Sequence, residues 1–177
     1  MSVSAATLRD AIIAKFPGDW VWNPSDPNYT WLDGMCTGFV SMWTAAVLSP
    51  GLGPPPPGSY PHVHTLTLVP ATMLAAVPVY TAEAQAFALN LCTVVATQLM
   101  TTTMVVMDGT VIGHDHLPFT LPSASGLKAA IISGGGATGV GIDPWADGFA
   151  NGLIEHLTAS AGMTPSTTGA GHLHNLT

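Results

Sequence analysis

One pattern occurs three times along the chain, and it constrains the fold more than any other feature of the sequence. Residues 31–39 and 145–153 both read W-x-D-G-apolar-small-polar-G-apolar. A third copy begins at Phe87 and lacks the glycines. Repeats of this length indicate supersecondary units that bury their apolar faces against one another.

Each copy also ends in a pair of histidines separated by one residue. The pairs are His62 and His64, His114 and His116, and His172 and His174. Upstream of the tryptophan motif, residues 8–13 resemble residues 127–132, and the matching place in the middle copy is near residues 73–77. We therefore predict a single compact domain, residues 1–177, built from three units at about 5–65, 71–117 and 124–175.

The fold class that follows is mainly α, with long Pro/Gly-rich loops and short extended segments. Each unit is predicted to hold a short apolar helix and then a longer one. The short helices fall at about 5–15, 71–77 and 124–133, and the long ones at about 30–48, 82–102 and 144–160. Extended pieces are expected at 65–69, 104–107 and 110–112. The three helix-helix-loop repeats would pack around a pseudo-threefold core.

The long helices carry an apolar stripe at helical spacing. In the first copy it comprises Trp31, Met35, Phe39, Met42, Trp43 and Ala46; in the second Phe87, Leu91, Val95, Gln98 and Leu99; in the third Trp145, Phe149, Leu153, His156 and Leu157. Trp31, Phe87 and Trp145 fall at equivalent places, as expected of one stripe around a shared centre. We interpret this stripe as core rather than as a cofactor site.

Start signals and glycines refine the helices. Asn28 or Thr30 could cap the first long helix, Thr81 the second, and Asp143-Pro144 the third. Four glycines recur at small-x-x-x-small spacing in the first and third long helices: Gly34, Gly38, Gly148 and Gly152. Because glycine destabilises a helix by about 1 kcal/mol, we expect each to admit a neighbouring backbone.

Charge is scarce in this chain. Only 7% of residues are charged, the net charge is -7, and three residues are basic. This composition argues against nucleic-acid binding and against membrane insertion. It favours a subunit whose surface neighbours cover, in a homo-oligomer of threefold or sixfold order. The N-terminal residues show neither the basic region nor the long apolar stretch of a signal peptide, and Cys36 and Cys92 are expected to be small buried hydrophobes.

The six paired histidines are candidate metal ligands. In an extended segment, residues i and i+2 share a face, with about 6–7 Å between them. Neutral imidazole suits Fe, Zn or Ni, and three converging pairs would supply an octahedral shell. The alternative is that these histidines hydrogen-bond backbone groups in their loops. His156 is interpreted as a core or interface residue.

Residues 113–116 and 171–174 resemble the glycine-preceded His-x-His elements of bacteriophage tail fibres and tail spikes. In those proteins three chains meet on an axis and their histidines hold an iron-like ion. The resemblance covers only these short motifs, and fibre tips are β trimers rather than helical units. It implies a metal role for the pairs, partners among other virion structural proteins, and a place in a virion made in a host cytoplasm.

The hypothesis favoured by these features is a structural subunit of a phage virion, in the tail or baseplate, with no enzymatic activity. One alternative is a metal-dependent enzyme, but three equivalent pairs lack the asymmetric roles that catalysis needs. Another is a small ligand- or peptide-binding module with a Trp-lined pocket between units. Its candidate residues are Trp20, Trp22, Trp31, Trp43 and Trp145, and Trp20 and Trp22, which lie outside the repeat, are candidates for a partner contact.

Overall fold

The structure is a computed structural model that describes residues 3–49, 62–101, 103–107, 115–116, 120–160, 163–165 and 174–176. Side chains are described within 3–46, 66–101 and 120–160. The proline-rich segment 50–61 and the predicted extended piece 110–112 lie outside the described residues.

The order helix-helix-strand-strand occurs three times along the described chain. The first set is α1 (Ala5–Ile13), α2 (Pro27–Thr44), β1 (Val47–Ser49) and β2 (His62–Thr67). The second is α3 (Pro70–Leu74), α4 (Ala82–Met100), β3 (Thr103–Met107) and β4 (Asp115–His116). The third is α5 (Ala124–Gly134), α6 (Ile142–Ser160), β5 (Met163–Pro165) and β6 (His174–Leu176). The prediction of a mainly α chain is confirmed.

The first long helix, α2, begins earlier than predicted. Asp26 caps it by accepting a hydrogen bond of 2.8 Å from the backbone N–H of Asn28. Pro27 follows at the first helical position, where its missing N–H costs no hydrogen bond. The prediction of Asn28 or Thr30 as the cap was therefore wrong.

The other two long helices differ in how well their starts were predicted. Thr81 caps α4 through its hydroxyl, which accepts a bond of 3.1 Å from the N–H of Ala84, as predicted. The third long helix, α6, already begins at Ile142. Asp143 therefore lies in its first turn, close to the positive end of the helix dipole, and is not the cap.

The six helices contact one another in a closed series. Each packs on the next along the chain, and α1 packs on α6. The buried residues of all six form one continuous core. Leu8 of α1, Met73 of α3 and Leu127 of α5 are all buried in it. None of the helices in the described part combines the length and apolarity that crossing a bilayer requires.

The predicted stripe of the long helices forms most of this core. Its buried members are Met35, Phe39, Met42, Trp43, Ala46, Leu91, Val95, Leu99, Phe149, Leu153 and Leu157. The remaining members, among them Trp31, Phe87 and Trp145, are partly buried. The interpretation of the stripe as core therefore holds for its middle and C-terminal turns.

The four helix glycines lie where a neighbouring helix comes closest. A Cβ atom on Gly34 would stand 2.6 Å from the carbonyl oxygen of Ala76, and one on Gly38 would overlap the backbone of Met73. These contacts join α2 to α3. A Cβ atom on Gly148 would stand 2.5 Å from Phe16, and one on Gly152 would overlap the backbone of Ile12 in α1. The prediction of close backbone approach is confirmed.

The contact between α4 and α5 reverses this arrangement. Asn90 and Val94 occupy the positions of the middle copy that correspond to the helix glycines. Here the small residues lie on the opposite side of the contact. A Cβ atom on Gly134 would stand 2.8 Å from Val94 Cγ2, and one on Gly136 would stand 2.9 Å from Asn90 Nδ2. Gly136 also adopts a positive φ of 75°, which favours glycine.

The strands follow the C-terminal ends of the long helices. Four of them form an antiparallel sheet in the order β1-β2-β3-β4, and β5 pairs with β6 in a separate sheet. The strand β2 begins at His62, ahead of the extended piece predicted at 65–69, whereas β3 agrees with the prediction at 104–107. Because β6 contacts β1 and α2, the small sheet lies beside the free edge of the large one.

Candidate functional site

Three aromatic residues from the three long helices meet at one end of the helical body. The ring centroids of Trp31 and Phe87 are 5.7 Å apart, those of Phe87 and Trp145 5.5 Å, and those of Trp31 and Trp145 6.2 Å. Trp31 and Phe87 stack, and Trp145 meets both edge-on. Edge-on and offset contacts of this kind are the favoured geometries of aromatic pairs.

Helix register explains why these rings come together. Each lies near the N-terminal end of its helix, two turns or less from the first residue. One turn further along, Met35, Leu91 and Phe149 are fully buried in the core. The three partly buried rings are therefore the last layer of the core, and this layer is open to solvent.

A cavity of about 410 Å³ lies over this layer. Its volume is within the range of small-molecule and peptide sites. The lining residues come from all three long helices and from the segments that precede them: Trp20, Pro27, Asn28, Trp31, Tyr80, Ala84, Phe87, Ala137, Thr138, Gly141, Ile142 and Trp145. None of these described lining residues carries a charge, so the site suits an uncharged ligand.

A second cavity of about 350 Å³ adjoins the first and shares Trp20, Asn28, Trp31 and Trp145 with it. Trp22 and Asp26 complete its polar lining. The indole Nε1 of Trp22 is buried and has no hydrogen-bond partner among the described residues. Because an unsatisfied buried N–H costs stability, this atom is available to a ligand carbonyl.

Trp20 and Trp22 pack on Phe16, with centroid distances of 5.4 Å and 4.9 Å. Phe16 in turn approaches Trp145 at 6.2 Å. These contacts join the two tryptophans, predicted to lie outside the repeat, to the aromatic layer. Both remain partly exposed and line the cavities. Trp43, by contrast, is fully buried and lines neither cavity.

Several cavity residues had no sequence signal that marked them. Tyr80 is half exposed and precedes the cap of α4. Thr138 and Ile142 come from the glycine-rich segment before α6. Their side chains belong to linkers whose path is set by the packing of the helices on either side, and a single sequence does not reveal that path.

Ion pairs connect the first and second helices of two of the three sets. Arg9 of α1 donates to Asp33 of α2 over 2.6 Å, and Lys128 of α5 lies 3.2 Å from Asp147 of α6. In the sequence repeat, Arg9 aligns with Lys128 and Asp33 with Asp147. In the middle copy the corresponding residues are Leu74 and Leu89.

Lys128 also pairs with Asp143 at 3.0 Å. Its hydrogen bonds to Asp143 and then to Asp147 raise the pKa of the ammonium group. Partial burial of Arg9 acts to lower the pKa of its guanidinium group, but hydrogen bonds to Asp10 and Asp33 outweigh this effect and raise the pKa. Both cations therefore stay charged over the whole physiological range.

Four of the six paired histidines are described, and they lie on strands that follow the C-terminal ends of the long helices. His62 and His64 are in β2, His116 is in β4 and His174 is in β6, while His114 and His172 lie outside the described residues. In the large sheet His62 pairs with Val106, and Val106 pairs with His116. These two histidines therefore share one register row, two strands apart.

In the small sheet His174 pairs with Pro165. The described side chains, which include none of the six paired histidines, contain no group of three or more His, Cys, Asp or Glu that could hold a metal ion. The role of the six histidines as ligands stays a prediction.

His156 is partly buried on α6, and its Nε2 atom has no hydrogen-bond partner among the described residues. Burial lowers its pKa below the ordinary value of 6.5.

Cys36 and Cys92 are buried free thiols, as predicted, and burial raises the pKa of each to about 12. Neither is a reactive thiolate at neutral pH.

No protein-family model, curated protein or solved structure matches this chain.

Proposed function

We propose that this chain is a structural subunit of a bacteriophage virion, in its tail or baseplate, that acts by assembling with neighbouring subunits. Its three units are proposed to be equivalent and to pack around a pseudo-threefold axis through Trp31, Phe87 and Trp145. The observation that carries the proposal is the closed series of six helices, in which α1 packs on α6. A body with internal threefold order suits a tail, where parts of different symmetry meet.

Pairs of aligned contacts support the equivalence of the units. Arg9–Asp33 and Lys128–Asp147 join the two helices within a unit. Between units, each long helix packs on the first helix of the following unit, and α6 closes the series on α1. Small residues line each of these three contacts.

The exposed surface supports an assembling subunit. Several large apolar residues are exposed, among them Val140, which is fully exposed, and Val21, Val79 and Val69, of which more than half is exposed. Exposed apolar side chains with few charges around them are typical of surfaces that other subunits cover.

Size-exclusion chromatography with light scattering tests assembly over a range of concentrations. We expect an oligomer of threefold or sixfold order that grows with concentration. A monomer at every concentration would contradict self-assembly.

Quantitative mass spectrometry of purified virions from a phage that encodes the chain tests whether the chain is part of the particle. We expect a copy number that is a multiple of three, whereas absence from the particle would contradict the virion role.

We further propose that the His-x-His pairs hold a transition metal ion, Fe, Zn or Ni. The register supports this, because His62 and His116 lie two strands apart, about 10 Å between backbones. Two imidazoles can reach one ion from such positions, with nitrogen-to-metal bonds of about 2 Å. Metal analysis of untagged protein is the test. We expect bound metal in the wild type and its loss in His62→Ala/His116→Ala, and metal-free wild-type protein would contradict the proposal.

A further inference from the structure

We propose that the aromatic cavity binds a proline-rich segment, and that the segment is Pro54–Pro57 of a second copy of this chain. The cavity is the one over Trp31, Phe87 and Trp145 described above. The inference rests on the proposed function, since it names the contact through which subunits would join.

The chemistry of the cavity selects this type of ligand. Proline-rich segments form an extended polyproline II helix that docks into grooves lined by aromatic rings. Trp20, Tyr80 and Trp145 are partly exposed rings in the cavity wall. Such a ligand is held by ring stacking on its prolines and by donors that reach its carbonyl groups.

Hydrogen-bonding groups are available at the same place. Within the described part of the chain, the side chains of Asn28, Tyr80 and Thr138 take part in no hydrogen bond. The buried Nε1 of Trp22 in the adjoining cavity has no described partner either. Since polyproline II makes no internal hydrogen bonds, its carbonyl groups remain free to accept from these donors.

The chain itself supplies a matching segment. Residues 50–61 read PGLGPPPPGSYP and contain no charged residue, which fits a cavity without charged lining residues. At about 3.1 Å per residue, four prolines in polyproline II conformation span about 12 Å. Prolines also lose little entropy on binding, because their φ angle is already fixed.

The position of the segment in the sequence favours another copy as its source. The cavity lies at the first residue of α2, Pro27, and the segment follows the other end of that helix. Eighteen helical residues extend about 27 Å. Val47 pairs with Thr67 next to the helix ends, and Ser49 pairs with Thr65 beside the segment. Twelve residues that leave and return between paired strands reach about 20 Å at most, which is shorter than α2, so we assign the segment in the cavity to another copy.

A contact between opposite ends of two copies is heterologous, so it leaves a free cavity at one end and a free proline segment at the other. Such contacts continue into rings or filaments. Tyr80 lines the cavity and is half exposed, so it can be replaced without opening the buried core.

The test uses two variants of the full chain. Tyr80→Ser damages the cavity, and Pro55→Gly/Pro56→Gly damages the segment. We expect each to weaken self-association about tenfold, as the loss of one central contact does. Their mixture should form dimers that grow no further, because only one productive contact remains. Ala129→Ser is the control, since Ala129 is exposed, lies outside both cavities and is not a large apolar residue, and it should associate as the wild type does.

A synthetic peptide of residues 50–61 provides a direct measurement. Titrated into Pro55→Gly/Pro56→Gly, it should change the tryptophan fluorescence with saturation, and it should not do so with Tyr80→Ser. If the wild type assembles and the two variants assemble equally well, the inference is wrong while the proposed function stands. If the wild type is monomeric but the peptide binds, the assembly role and the second copy as donor both fail, and only the preference of the cavity for a proline-rich ligand holds. A peptide that binds neither protein would overturn the inference.

Discussion

Single positions differ between the three sequence copies in ways that the packing explains. Where the first and third copies have a charged pair, the middle copy has Leu74 and Leu89, and Leu89 is half exposed. Where they have helix glycines, the middle copy has Asn90 and Val94. A change at one position is therefore matched by a change at the position that faces it.

The cysteines allow a prediction at this scale. Because burial raises the pKa of Cys36 and Cys92 to about 12, almost no thiolate is present at pH 8. We expect iodoacetamide to leave both unmodified in the native protein and to label both in guanidinium chloride, as read by intact-protein mass spectrometry. Rapid labelling of the native chain would show that the core opens around them.

His156 allows a second prediction. Its folded pKa lies below 6.5, so as the pH falls through 6.5 the unfolded chain takes up this proton first. Above pH 6.5 the neutral His156 makes its full contribution to the free energy of unfolding, and this contribution decreases as the pH falls below 6.5. Between pH 7.5 and 5.5 we expect the Tm of the wild type to fall further than that of His156→Gln. Equal falls in both proteins would show that His156 titrates normally.

At the scale of elements, the sequence pattern predicted most of the helices to within a few residues. Aromatic and aliphatic spacing located α4 and α5 closely because their apolar faces are continuous. Start signals were less reliable: Asp followed by Pro marks the true start of α2 at Asp26 and Pro27, whereas the same pair at Asp143 and Pro144 lies within the first turn of α6. The sequence also indicated close approach at the glycines of α2 and α6, whereas for residues 134–136 it left a flexible segment and a close approach as alternatives; Gly134 and Gly136 lie in close contact with α4.

The glycine contacts predict a large effect of one methyl group. Gly38→Ala gains intrinsic helix stability but places a Cβ atom against the backbone of Met73, which cannot move without shifting α3. We expect a loss of about 1–3 kcal/mol in the free energy of unfolding, measured by urea denaturation. Gly18→Ala, where nothing lies within 4 Å, is the control and should change it by less than about 0.5 kcal/mol. Equal effects at both positions would contradict the packing.

The reversed contact of α4 and α5 predicts a rescue. Gly134→Ala brings a methyl group within 2.8 Å of Val94 Cγ2 and should destabilise the protein. In the double variant with Val94→Ala the methyl group has room, so we expect a coupling energy of about 0.5–3 kcal/mol between the two changes. Additive effects would show that the two residues do not press on each other.

At the scale of the whole molecule, the aromatic cavity depends on all three long helices and on the linkers before them. The repeat predicted that Trp31, Phe87 and Trp145 would share a centre, and their rings do meet. It did not predict that the centre would be open at one end, because the size of the opening depends on where the linkers lie. His62, His64, His116 and His174 have described backbone positions on three of the strands, and the chemistry of the histidine pairs stays a prediction.

A closed series of helices around one core predicts cooperative unfolding. None of the three helix-helix-strand-strand sets can separate from the other two without exposing buried core residues of its neighbours. We expect tryptophan fluorescence, which reports on the aromatic end, and far-UV circular dichroism, which reports on all helices, to show one coincident transition in urea. Two separated transitions would indicate that the units unfold independently.

The placement of the small residues also bears on how such a chain can change in evolution. At two of the three contacts between units the glycine lies on the long helix, and at the third it lies on the opposing segment. Exchanging the first and second units would therefore set Val94 against a helix that has no space for it. If the three segments are copies of one unit, as the sequence predicts, these contacts have fixed their order, and the segments are no longer interchangeable parts.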